Sequence, residues 1–123
     1  MSIDFVHLHV HTDYSMLDGA CEVEAYCQQA AELGMTAAAI TDHGNMHGAF
    51  SFYKAAKAHD IKPVIGCELY QAPSSRHKKD QNEPNHQGFH LLALARDEAG
   101  YRNLCHLNSI AHQEGFYYHP RVD

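Results

Sequence analysis

His7-Leu8-His9-Val10-His11, with Asp13 and Asp18 close behind, is the stretch on which the reading of this chain turns. Side chains on an extended strand alternate between faces. This spacing therefore lines up three imidazoles on one side, with Leu8 and Val10 on the other. Three histidines on one face serve packing poorly. Imidazole is the commonest metal ligand, and clustered ring nitrogens suit zinc, manganese or iron. Residues 5–11 thus read as the first strand of the fold, with a metal site built on it.

Downstream, Val23, Cys27, Ala30 and Ala31 fall at helical spacing with Tyr26 alongside, and predict a helix over 22–33. Gly34 supplies a left-handed stop. The apolar run 36–41 predicts a second strand. Asn45 suits the N-cap of a helix over 46–59, with Phe50, Tyr53 and Ala56 facing inward. Residues 61–70, rich in valine and isoleucine around Gly66, predict a third strand; Pro63 sits near its start, where a missing N–H is tolerated. Residues 72–88 are polar with proline and glycine at the edges, and read as a long, exposed, mobile loop. Its Lys78-Lys79 pair reads as solvated. Residues 90–95 predict a fourth strand, and Asp97 caps a helix running to about Ala111. Alternation of this kind argues for an α/β fold with a parallel sheet and right-handed crossovers. The second and fourth strands are apolar enough to be covered on both faces. Pattern alone leaves open a doubly wound sheet and a piece of a barrel.

Composition bounds the function. Of 123 residues, 45% are apolar and 20% charged, which fits a folded globular domain. The formal net charge of −6 argues against passive adhesion to nucleic acid, which needs a basic surface. It does not exclude a site that handles phosphodiesters through bound cations. Among twelve histidines, His59, His77, His86, His106 and His112 read as surface residues. Cys21, Cys27, Cys67 and Cys105 form no CxxC pair, so reduced thiols are expected. No run approaches the ~20 apolar residues of a membrane span, and a leader is not expected. The expectation is a cytoplasmic protein without membrane partners.

Candidate ligands recur at the predicted strand ends. His9 and His11 lie on the first strand, and Asp18 in the loop after it. Asp42-His43 ends the second, and Glu68 lies near the end of the third. In parallel α/β folds, sites gather beyond the carboxyl ends of strands. His90 is awkward, because it opens its strand. Alternatives stand beside each reading. HxH pairs arise by chance in histidine-rich chains, and Thr-Asp-His-Gly-Asn is good turn chemistry. A carboxylate such as Glu68 within an apolar strand is costly unless hydrogen-bonded or coordinated. Taken together, six nitrogen and oxygen donors exceed what one tetrahedral zinc takes, so two or more cations are expected. Clustered divalent cations are a recurring device for phosphoester cleavage.

Residues 7–20, 40–48, 61–70 and 90–104, read as whole motifs, closely resemble the PHP (polymerase and histidinol phosphatase) domain. Leu-Asp-Gly-Ala (17–20), Gly-Cys-Glu-Leu-Tyr (66–70), Gly-Tyr-Arg-Asn-Leu (100–104) and the tail 115–123 are similar to the form that begins the alpha subunits of bacterial DNA polymerase III. The resemblance implies the N-terminal part of a distorted (β/α)7, TIM-like barrel, with about four parallel strands and intervening helices. A whole barrel needs roughly 250 residues, so residues 1–123 read as a partial PHP domain. By the same resemblance His9, His11, Asp18, His43, Glu68 and His90 are metal ligands. A complete site takes up to three divalent ions (zinc, manganese or magnesium). His7 reads as support, and His119 falls outside the set. The family's later Asp-x-His ligands and the polymerase regions are absent.

The implied function is a metal-dependent phosphoesterase resembling a 3′–5′ proofreading exonuclease, within a replicative polymerase. One alternative is a non-catalytic scaffold that stabilises the polymerase and docks an exonuclease subunit. Another is a stand-alone PHP phosphatase. The implied partners are DNA through the parent polymerase, an exonuclease subunit and other replisome subunits. An open half-barrel exposes sheet edges, so self-association is also expected.

Overall fold

The computed structural model describes residues 5–123, and the site is framed by a small mixed sheet and three helices. Helix α1 (Val23–Glu32) starts where the Glu22 carboxylate accepts hydrogen bonds from the backbone N–H groups of Glu24 and Ala25. It stops at Gly34, whose φ of 77° is left-handed. Its buried stripe is Val23, Cys27 and Ala30. Strand β1 (Ala37–Ile40) is buried throughout.

Helix α2 (Ala49–Ala58) begins three residues later than expected. Asn45 does not cap it. Instead its Oδ1 accepts from the N–H of His47 in a tight turn, and its amide donates to the carbonyls of Tyr14 and His43. The buried stripe differs from the expected one as well. Ala49, Phe52, Ala55 and Ala56 are buried, whereas Phe50 and Tyr53 are 72% and 48% exposed. Phe52, the α1 stripe, Ala38 and Ile40 make one core.

Strand β2 (Lys62–Gln71) is the spine of the sheet. Its first half pairs parallel with β1, from Ala37↔Lys62 to Ile40↔Ile65. Its second half pairs with β3 (Phe89–Leu94) and with β4 (Arg121–Val122), the latter parallel through Tyr70↔Arg121. Helix α3 (Glu98–Gln113), capped by Asp97 accepting from Gly100 N–H, packs Leu104 and Ala111 against Cys67, Leu69 and Val122 in a second core.

Two expectations about strands are corrected. Residues 5–11 run beside β1 without forming a strand. The N–H groups of Ala39 and Thr41 donate to the carbonyls of His7 and Val10, so a step of three residues faces a step of two and no regular ladder closes. The predicted fourth strand, β3, runs antiparallel to β2 rather than parallel. Its connection, residues 72–88, contains no helix to carry a crossover, and the chain simply turns back. Nor is β3 covered on both faces: Phe89, Leu91, Leu92 and Leu94 are 37–49% exposed.

The loop 72–88 is tied down from beneath. Arg121 is fully buried, and its guanidinium donates to the carbonyls of Gly115, His86, Arg76 and Lys78 at 2.8–3.1 Å. Arg76 in turn forks onto Glu114 and Asp123, and Lys78 pairs with Glu83 at 2.9 Å. Among the described residues, no helix is long and apolar enough to cross a membrane.

Candidate metal centre

Strand alternation sends Cys67 and Leu69 of β2 into the α3 core, and Glu68 and Tyr70 to the other face. Glu68 is 1% exposed. No lysine or arginine pairs with it among the described residues; four imidazoles surround it. Its Oε2 meets His9 Nε2 and lies 3.5 Å from His11 Nε2. Its Oε1 lies 2.7 Å from His43 Nδ1 and 3.2 Å from His90 Nδ1. The carboxylate thus divides the donors into two sets, His9–His11–Glu68 and His43–Glu68–His90. Within each set the donor atoms lie within 4.8 Å of one another.

The backbone accounts for this convergence. His43 follows β1 and bridges Glu68 in parallel fashion, with Gly44 N–H donating to the Glu68 carbonyl at 2.9 Å. His90 stands opposite Tyr70 in the antiparallel ladder. The reversed direction of β3 removes the awkwardness of His90, because the start of β3 lies at the carboxyl end of β2. The His11 and His43 rings stack at 3.8 Å and 7°. Asp18 stands outside both sets, and its carboxylate reaches the centre through His43 Nε2 at 2.9 Å. His7 packs edge-on against Phe5, apart from the centre.

The chemistry of these donors fits divalent cations. Glu68 Oε1, His43 Nδ1 and His11 Nδ1 are buried and have no hydrogen-bond partner among the described residues. His43 Nδ1 and Glu68 Oε1 are close enough to bond, but misaligned for it. A buried carboxylate with an unpaired oxygen costs several kcal/mol unless a cation meets it. Burial, and secondarily the neighbouring His43, push the His11 pKa down, favouring the neutral ring that offers a lone pair.

A layer behind the donors holds them in place; the sequence reading set Asp42 beside His43 among the strand-end candidates and missed this supporting role. Asp42 is buried and accepts from Thr12 N–H, Thr12 Oγ1 and Ser15 Oγ at 2.6–3.1 Å. Ser15 Oγ accepts in turn from His43 N–H. Asp42 therefore ties the loop between His11 and Asp18 to the turn carrying His43. Gly44 in that turn has φ of 58°, and a Cβ there would sit 2.7 Å from Pro120. His112, read as a surface residue, is exposed, and its Nε2 also bonds the Gly44 carbonyl at 2.9 Å. The signal for Asp42 was its place between an apolar strand and a candidate ligand.

Asp18, His43, Tyr70, His90, His112 and His119 all line a cleft of about 510 Å³. All four cysteines are free, and burial pushes the Cys27 and Cys67 thiols up to about 11.

The sequence profile of the PHP domain matches residues 7–123. The chain belongs to the PHP domain family. DNA polymerase III alpha subunits carry similar sequence. That of Chlamydia muridarum is 50% identical over 119 residues, that of Treponema pallidum 51% over 121, and that of Aquifex aeolicus 44% over 128. These alignments take in 97–100% of this PHP chain, which spans only about a tenth of the length of those relatives (10–11%). A solved structure from Bifidobacterium adolescentis, provisionally described as a metal-dependent phosphoesterase, superposes with a TM-score of 0.51 at 19% identity. It covers 88% of this chain and 34% of that one. That likeness speaks for the fold alone.

Proposed function

We propose that this PHP domain binds divalent cations and belongs to a phosphoester-cleaving centre within a replicative DNA polymerase. The observation that carries the reading is Glu68, a buried carboxylate whose two oxygens face two separate imidazole sets. His9, His11 and Glu68 would hold one cation, and His43, His90 and Glu68 a second, with Asp18 acting through His43. Bound divalent cations supply Lewis-acid polarisation of a phosphoryl oxygen and acidify water. The protein's own residues do the rest. Glu68 offsets positive charge between the two sets, Asp42 keeps the two loops in register, and the cleft beside His43 and His90 admits a phosphoester. Similarity to polymerase alpha subunits supports DNA and replisome subunits as the partners and the bacterial cytoplasm as the setting.

Equilibrium dialysis against zinc or manganese, followed by elemental analysis, tests the site. Wild type is expected to retain metal, and both Glu68→Gln and the double variant His9→Ala/His11→Ala to lose most of it. Unchanged metal content in those variants removes the centre. Hydrolysis of a labelled primer end by the metal-loaded chain then tests turnover. A second reading, a non-catalytic scaffold, is favoured by the exposed apolar residues of β3. Metal retention without hydrolysis supports it.

A further inference from the structure

His119 belongs to neither converging donor set, yet it lines the same cleft as His43, His90 and Asp18. Its placement is over-determined. The preceding Tyr118 adopts φ of 61°, a left-handed conformation that a bulky L-residue rarely takes. Such outliers persist only where the surroundings enforce them, and they gather at functional sites. Here Tyr117 N–H donates to the His119 carbonyl, closing a tight turn. Pro120 follows, and buried Arg121 takes its place beside Tyr70 in the sheet. The ring itself lies flat on Tyr70, with centroids 4.4 Å apart and planes 6° from parallel. Tyr70 also meets the His90 ring edge-on at 5.1 Å. Stacking thus fixes the imidazole plane, and no side-chain hydrogen bond engages it among the described residues.

A rigid ring N–H at the wall of a cleft, beside but outside the cation ligands, suits an acceptor atom of whatever enters that cleft. We propose that His119 is a substrate-binding residue that donates a hydrogen bond to a non-bridging oxygen of a phosphate group held at the cation centre. Tyr70 acts as its positioning residue. The inference rests on the phosphoester reading above and adds to it the protein group that touches the phosphate.

Inorganic phosphate is the probe, titrated calorimetrically into the full chain loaded with manganese, with metal content measured in parallel. A hydrogen bond to a charged phosphate corresponds to roughly tenfold in affinity. His119→Ala is expected to weaken phosphate binding by about that factor while metal content stays at the wild-type level. His119→Asn, which keeps an N–H near the Nδ1 position, is expected to recover part of the loss. Tyr70→Leu, which removes the stacking partner, is expected to weaken phosphate binding with the metal retained. Equal phosphate affinity in wild type and His119→Ala overturns the proposal and leaves the phosphoester reading standing. Loss of metal in His119→Ala also overturns it, by making His119 a ligand or a structural element. If wild type takes up manganese but no phosphate, the phosphoester reading fails first and takes this assignment with it.

Discussion

Asp42 is buried beside a centre rich in histidine, yet only hydroxyls and one amide N–H meet its carboxylate. Replacing it with asparagine keeps the shape but turns one acceptor into a donor facing groups that need acceptors. Changes just behind metal ligands typically cost about 10–100-fold in affinity. Asp42→Asn is therefore expected to lower zinc or manganese affinity by that order, measured by competition with a chelating dye. Near-wild-type affinity would reduce Asp42 to a local fold contact. Residues of this kind divide what the sequence could tell from what it could not. The convergence of His9, His11, His43, Glu68 and His90 was legible because few residue types offer such donors, and those types recurred at the predicted strand ends. The contacts of Asp42, His112 and Arg121 were not, because their partners are hydroxyls and backbone groups. Such groups occur everywhere in a sequence, and only the folded chain brings them near.

Helix α2 shows how the choice of buried face decides which side chains matter. Its packing against α1 and the sheet buries Phe52 and leaves Phe50 on the surface. Phe52→Ala is expected to cost about 3–5 kcal/mol, the usual range for an aromatic removed from a core. Phe50→Ala should stay within about 0.5 kcal/mol, both measured by urea denaturation. The reverse order would return α2 to the expected face. The places of β1, β2 and β3 along the chain were legible from their apolar runs, whereas the direction of β3 was not, since a polar stretch of seventeen residues (72–88) can return a chain either way. The tie between that loop and β4 carries its own pH signature. Asp123 has its carboxyl pKa pulled down, first by the Arg76 backbone N–H and then by the Arg76 guanidinium. A depressed folded pKa means that this stabilisation is complete above the unfolded value, near 3.8, and fades as pH falls through the lower folded value. The melting temperature of wild type should therefore drop further than that of Asp123→Asn as pH is lowered through and below 4. Parallel curves would show that the pair contributes nothing.

Taken whole, the molecule presents one unprotected flank. Strand β3 contains no charged residue or proline and exposes four large apolar side chains. Edge strands of that composition invite pairing with another strand. The chain is expected to self-associate as its concentration rises, and Leu91→Lys to shift it toward monomer in sedimentation velocity. Leu91 pairs with Leu69, on the face away from Glu68, so metal content should be unaffected. A wild-type chain that sediments as a monomer throughout refutes the expectation. The doubling-back of β3 also has a practical side. His90 is fixed by its rung opposite Tyr70, whatever the length of chain that joins them. Extra residues spliced near Gln81, between the Arg121 anchor points at Lys78 and His86, add little closure entropy. That bend is accordingly the place to graft a fluorophore or affinity handle and report on ion uptake without perturbing it.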